Sequence, residues 1–372
     1  MRDIGNAVFD VVRNIPFTIR RNEPAQQFVA NQTWERPFTQ LGAPTFLLIN
    51  QHGERSSYVG QWSFGVQREL PAGMSLEVTY LGSAGVKLRR LSNYNIPPPG
   101  TGDIAPRRPF PKYGQFQNMH APAHSNYHSL QARLQRRFSG GFTILSSYAY
   151  SKSIDVGSGI RTTDGDKLTT MDTANLRRER GRSAFDFRQR FTTSWLYELP
   201  IGKGKSWLGN AGGVAQVVAG NWQFGGILNF QSGFPLTAYC GPGNIQNGGD
   251  GCYPDSLGID PNLTRSAKTP NRFFDTNAFI DRVAGVGPQF RYGNSGRNTI
   301  DGPGIISLDF SAIKNFRFTE TAGLEFRTEF FNLTNHPIFA PPGTTLRNST
   351  YGVIGGTKID SRQVQFGLKL NF

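Results

Sequence analysis

No apolar run approaches the roughly 18 residues that a membrane-crossing helix needs, so a transmembrane helix is excluded. The first residues, MRDIGNAVFDVVRNIPF, hold neither the apolar core nor the small-residue cleavage site of an export signal. Either the chain is cytoplasmic, or its true N-terminus is missing. Charge is also scarce, at 18% of residues, while Gly (44), Pro (23) and Phe (29) are plentiful. That mixture disfavours a helical protein, because Gly and Pro break helices and aromatics suit pleated surfaces. It disfavours disorder as well, since disordered chains are poor in aromatics. Strands joined by many turns and loops remain.

Only two cysteines are present, Cys240 and Cys252, with a Gly/Asn/Pro-rich stretch between them. A metal site would want more Cys, or a His nearby in sequence. Two cysteines flanking one loop read as a disulfide in an oxidising compartment; two free thiols are the alternative. The formal charge of +14 raises the question of nucleic acid. The arginine pairs 20–21, 89–90, 136–137 and 177–178 are dispersed, however, and no basic helix or lysine-rich tail gathers them. A solvated or lipopolysaccharide-facing surface is expected, and no nucleic-acid partner.

Alternation is what the chain does have. Trp62, Phe64, Val66 and Leu70 interleave with Gln61, Ser63, Gln67 and Glu69. After Pro71-Ala72-Gly73, Met74, Leu76, Val78 and Tyr80 interleave with Ser75, Glu77 and Thr79. Leu130, Ala132, Leu134 and Phe138 alternate with Gln131, Arg133 and Gln135. A Ser139-Gly140 turn then leads to Phe142, Ile144, Tyr148 and Tyr150. The pattern returns around Phe191–Leu199, Trp222–Phe230, Ile306–Phe310, Leu324–Phe330 and Val364–Phe372, which makes nine strands. Each run is about ten residues, the length that crosses an apolar bilayer band at a tilt near 45°. Arg68 and Arg136 interrupt the apolar face only beside short turns, where long side chains can snorkel.

Connections alternate in length too. Short ones (71–73, 139–140, 319–321) exchange with long ones (83–125, 154–184, 234–304, 334–361), the asymmetry of outer-membrane barrels. The segment 200–219 departs from this, being long where a short turn is due. Parity counted from the C-terminus puts the long loops outside the cell.

Several tempting motifs fail. Gly204-Lys205-Ser206 lacks the Gly that a phosphate loop needs five positions earlier, where Leu199 stands. His120, His124 and His128 would align on a helix, but Pro122 interrupts it and His128 already belongs to a strand, so solvent-exposed loop histidines are expected. Asp164, Asp166 and Asp250 match no calcium-loop spacing, and no nucleophile elbow or triad can be assembled. No catalytic, cofactor or metal site is expected, and no enzyme.

The segments 57–85, 126–155 (NYHSLQARLQRRFSGGFTILSSYAYSKSID), 177–205 and LEFRTEFFNLTNHPIF at 324–339 resemble, in this order, the Oar-like TonB-dependent transporters. The resemblance implies an all-β, antiparallel transmembrane barrel in the cell outer membrane. Its partners would be lipid and lipopolysaccharide, and a TonB-type energy transducer acting through a plug. The terminal Phe372 resembles the signal read by the outer-membrane assembly machinery. Such barrels have 22 strands, so nine would be the last nine, with 1–55 resembling an extracellular loop and 56–372 the C-terminal barrel strands. An incomplete barrel, a fragment or truncated product without its plug, is therefore expected. Residues at 57–70 and 363–372 should form unpaired edges. The competing reading is an extracellular all-β adhesin or carbohydrate-binding module, which would show one concave aromatic patch.

Overall fold

The computed structural model describes residues 46–50 (backbone only), 55–98, 100, 103–159, 172–173, 175–210, 212–240, 252–281, 292–319 and 321–372. Nine long strands dominate it: β1 (Tyr58–Leu70), β2 (Met74–Asn93), β3 (Gln115–Ser139), β4 (Phe142–Asp155), β5 (Gln189–Glu198), β6 (Trp222–Gln231), β7 (Ile305–Arg317), β8 (Gly323–Phe331) and β9 (Gln363–Asn371). Each pairs antiparallel with its sequence neighbours, so the sheet is a simple meander. Among the described residues β1 pairs only with β2, and β9 only with β8. The barrel is therefore open.

Register shows why the alternation matters. Gln67, Glu77, Arg133, Ser147, Thr192, Asn229 and Ser307 lie side by side across seven strands. One residue along, Val66, Val78, Ala132, Tyr148, Phe191, Phe230 and Ile306 form the adjacent row, which points the other way. Glu77, Gln131, Arg133, Ser147 and Thr192 line a hollow of about 500 Å³ on the polar face. The apolar face is bare: Phe64 is 72% exposed and Leu368 71%. A soluble sheet would cover such a face, because large contiguous apolar surface is costly in water. Most aromatics of the strands lie on this bare face and others are buried in the loops, not gathered in one concave patch, which leaves the carbohydrate-module reading without its expected mark.

Turns at one end are tight. Ala72 and Gly73 (φ 64° and 66°) link β1 to β2, and Gly140 and Gly141 (φ 60° and 79°) link β3 to β4. The second turn thus sits one residue later than the expected Ser139-Gly140, because Ser139 still pairs with Phe142. Two successive positive φ values match the right-handed twist of a hairpin. Arg136 reaches this turn, donating to the Ser139 carbonyl at 3.2 Å and lying over the Phe142 ring. On the bare face Trp62 lies over its cross-strand partner Gly82, and Trp195 over Gly226, so that a Cβ at either glycine would strike the indole.

Two expectations need correction. The 83–125 connection is mostly strand: β2 and β3 stay paired as far as Asn93↔Gln117, through irregularities at Gly85–Arg90. Within 1–55, Phe46–Asn50 pairs parallel with Gln115–Met119; residues 1–45 and 51–54 lie outside the described residues. His120 and His124 are not in a loop, although His124 and His128 are exposed as expected. All three lie in β3, where alternate residues share a face, and His120 is buried, sharing a 2.7 Å hydrogen bond with the Ser92 hydroxyl. Four-residue steps along a strand are roughly 13 Å, too far apart for one metal ion. Pro122 is tolerated there because it breaks a helix more than a strand rim.

Candidate functional site

At the long-loop end, the connections pack into a layer of their own. Leu236, Ala238, Phe274, Ala278, Phe279, Ile300 and Leu346 form its apolar core. Beside that core lies a buried polar cluster. The Arg297 side chain, wholly buried, pairs with Asp155 and donates from Nε to the Glu179 carbonyl at 2.9 Å. Glu179 in turn receives Arg90 at 3.3 Å and the Tyr253 hydroxyl at 2.9 Å. Burial pushes the Tyr253 phenol well above its ordinary range, and the Glu179 carboxylate adds to the shift. Arg182 bridges Asp186 (2.9 Å) and Asp301 (2.5 Å). Asn298 joins the Arg182 carbonyl to Thr237. Buried charges persist only when paired in this way. The cluster therefore fixes where loops from four strand ends sit.

Cys240 and Cys252 lie in the same layer, between β6 and β7, with Cα atoms 5.3 Å apart and their sulfurs bonded. The Cys240 amide also donates to the Cys252 carbonyl at 2.9 Å. Closing a loop of this size contributes roughly 3 kcal/mol in the chain-entropy account. The residues between them, Asp250 included, lie outside the described residues, as do Asp164 and Asp166. Gly204-Lys205-Ser206 sits in the turn after β5, with Lys205 paired to Glu198 at 3.4 Å.

Under the loop layer, at the ends of β5, β6 and β7, a cleft of about 780 Å³ is lined by Arg182, Arg188, Arg265, Lys268 and His336, with Asp301 as its carboxylate. Asp301 is already matched to Arg182, so the cleft carries excess positive charge. Among the described residues, Arg188 Nε is buried there without a hydrogen-bond partner. Sequence reasoning missed both the cleft and the cluster, whose members are scattered from 90 to 301. Among the described residues no group of three or more His, Cys, Asp or Glu could hold a metal ion.

An open meander with one bare apolar face and one polar hollow face is the build of a membrane barrel wall. A family model described as an outer membrane beta barrel domain matches residues 3–365. The chain belongs to that family. Its place is the cell outer membrane, and its bare face is the lipid-facing one. Among solved structures, the outer membrane transporter YddB from Escherichia coli is 9% identical, with a TM-score of 0.47 over 90% of this chain and 35% of that one. BauA, the ferric preacinetobactin receptor from Acinetobacter baumannii, is 11% identical, with a TM-score of 0.40 over 84% of this chain and 29% of that one. The FrpB iron transporter from Neisseria meningitidis is likewise 11% identical, at a TM-score of 0.37 over 87% of this chain and 32% of that one. The chain thus spans about a third of the length of these barrel proteins. No curated protein matches it.

Proposed function

We propose that this barrel is part of a TonB-dependent receptor that takes up a substrate across the outer membrane together with a plug and an energy transducer. The observation that carries the reading is the open nine-strand wall, polar on its hollow side, whose two edge strands have no outer partner among the described residues. Unpaired backbone groups in lipid cost several kcal/mol each, so further strands are expected between β9 and β1. The two edges run in the same direction, hence an odd number of strands must intervene for an antiparallel closure. Thirteen such strands would give the 22 of a TonB-dependent receptor, a barrel wide enough to hold a plug. The tight-turn end then faces the periplasm and the loop layer faces outward. The positive cleft supports an anionic cargo.

Growth of a deletion strain on a panel of ferric chelates, vitamins, saccharides and peptides tests this reading. Growth should fail on one class, and loss of the energy transducer should cause the same failure. A deletion strain that matches its parent on every class overturns it.

The wall ends in β9 and Phe372, which is 98% exposed. We propose that the assembly machinery reads this end. Removing Phe372 should lower the amount of heat-modifiable barrel in the outer membrane several-fold, while total synthesis stays unchanged. Equal amounts of folded barrel with and without Phe372 would remove the assignment.

A further inference from the structure

At the end where neighbouring strands turn tightly, the chain between β5 and β6 instead makes a detour over 199–221. It carries a helix, Gly213–Ala219, packed back on the turn before it: Gln216 Oε1 accepts from the Lys203 amide at 2.6 Å. The apolar side chains of this detour are bare. Val214 is 79% exposed, Val217 56%, Val218 64%, and Trp207 in the preceding turn 68%. Val214, Val217 and Val218 are spaced i, i+3, i+4, so they form one stripe along the helix.

What holds the helix is telling. The Val218 carbonyl accepts from Trp222 Nε1 at 2.9 Å and from Lys314 Nζ at 3.5 Å, and Lys314 also donates to the Gly220 carbonyl. Lys314 and Trp222 are directly paired across β6 and β7. Lys314 is also paired with Phe326, and Phe326 with Leu368, so all four stand on the lipid-facing side. A lysine on that side would be costly in lipid. This one is buried, its ammonium spent on the helix C-terminal carbonyls and placed 5.3 Å from the Trp222 ring. The helix is thereby tied to the outer flank of the wall, at its rim, where the apolar face meets the headgroups.

We infer that residues 200–210 and 212–220 form an interfacial anchor seated in the glycerophospholipid leaflet at the tight-turn end. The valine stripe and Trp207 enter the boundary between acyl chains and headgroups. Lys203, exposed on the same detour, stands among the phosphates. Continuity with the lipid-facing wall singles out lipid over a protein partner, and the combination of a bare apolar stripe, a Trp and flanking Lys is that of helices lying in a membrane plane. Lys314 is the positioning residue that fixes the helix to the wall. The inference rests on membership of the outer-membrane barrel family and not on the receptor reading, so it survives a failure of the uptake experiment.

An environment-sensitive fluorophore at Val217→Cys, in the full gene product within isolated outer membranes, tests it. Doxyl-labelled phospholipid should quench the probe at least twofold, and aqueous iodide should have little effect. In a Lys314→Met background that retains the heat-modifiable barrel, iodide quenching at the same site should rise severalfold. Should that background not assemble, Trp222→Phe, which removes only the Nε1 donor, takes its place. Strong iodide quenching without doxyl quenching in the otherwise native protein would overturn the anchor. So would photocrosslinking from position 217 to a protein rather than to lipid. An unchanged probe in both backgrounds would remove the role given to Lys314.

Discussion

Replacing Arg297 with Ala should loosen the loop layer by roughly 3–5 kcal/mol, the cost of leaving the buried Asp155 carboxylate without its partner. Arg297 and Asp155 are 0% and 3% exposed, and Glu179 presents its carbonyl to the same guanidinium. Water cannot reach these groups to compensate. The nine strands are stabilised separately, by their ladders and by lipid, so the loss should stay in the loops. Protease added to intact cells reads this: cleavage in the outward connections 156–188 and 232–304 should accelerate by roughly two to three orders of magnitude where it follows the opened population. The heat-modifiable barrel should persist. Arg297→Lys should fall between, since an ammonium keeps the charge but lacks the planar fork that serves Asp155, Glu179 and Ser158 together. Wild-type cleavage rates in Arg297→Ala would show that the cluster does not organise the layer.

The second large effect separates the two faces of one strand. Leu228 stands in the apolar row between Thr193 and Leu308, near the middle of β6. Leu228→Arg should destabilise the barrel by roughly 2–4 kcal/mol, the cost of an arginine at the bilayer midplane. Its neighbour Asn229, paired with Thr192 and Ser307, faces the hollow. Asn229→Arg should change stability by less than about 1 kcal/mol, because water there can solvate the charge. Urea unfolding of the two variants in phospholipid vesicles measures the difference. Equal losses would mean that the faces have been assigned the wrong way round.

The wall was legible in the sequence because lipid on one side and water on the other force a period of two on every strand. Trp222–Phe230 shows it plainly. The rule lapses where neither condition holds. Above Gly82, β2 and β3 leave the bilayer and are covered by loops, so Arg90, Ser92 and Asn93 are buried though polar, and the alternation disappears. That is why 83–125 read as a loop, and why His120 passed for a solvated one. The polar cluster had no local signature at all. Asp155, Glu179 and Arg297 meet only after the fold has brought three connections together, and each alone resembles an ordinary loop charge. The detour at 200–219 was visible as an anomaly of length, but its tie to Lys314 was not, because a lone lysine in an apolar row reads as an exception rather than a partner.

The separation along the chain within that cluster has a consequence in time. Arg297 lies 142 residues from Asp155 and 118 from Glu179. Contacts this distant are slow to form, since a long stretch of chain must be brought to order before they repay it. Within the meander each strand pairs with the one just before it, and the pairs from Tyr58 to Gln231 join segments closer along the chain than these; only β7 must wait, meeting β6 at Ile305↔Gln231 across 74 residues. The outward layer should therefore set last, after the hairpins between Tyr58 and Gln231 have already joined. A chain arrested during assembly would be a finished wall beneath an unfinished roof, with Asp155 and Glu179 still in water and waiting for an arginine.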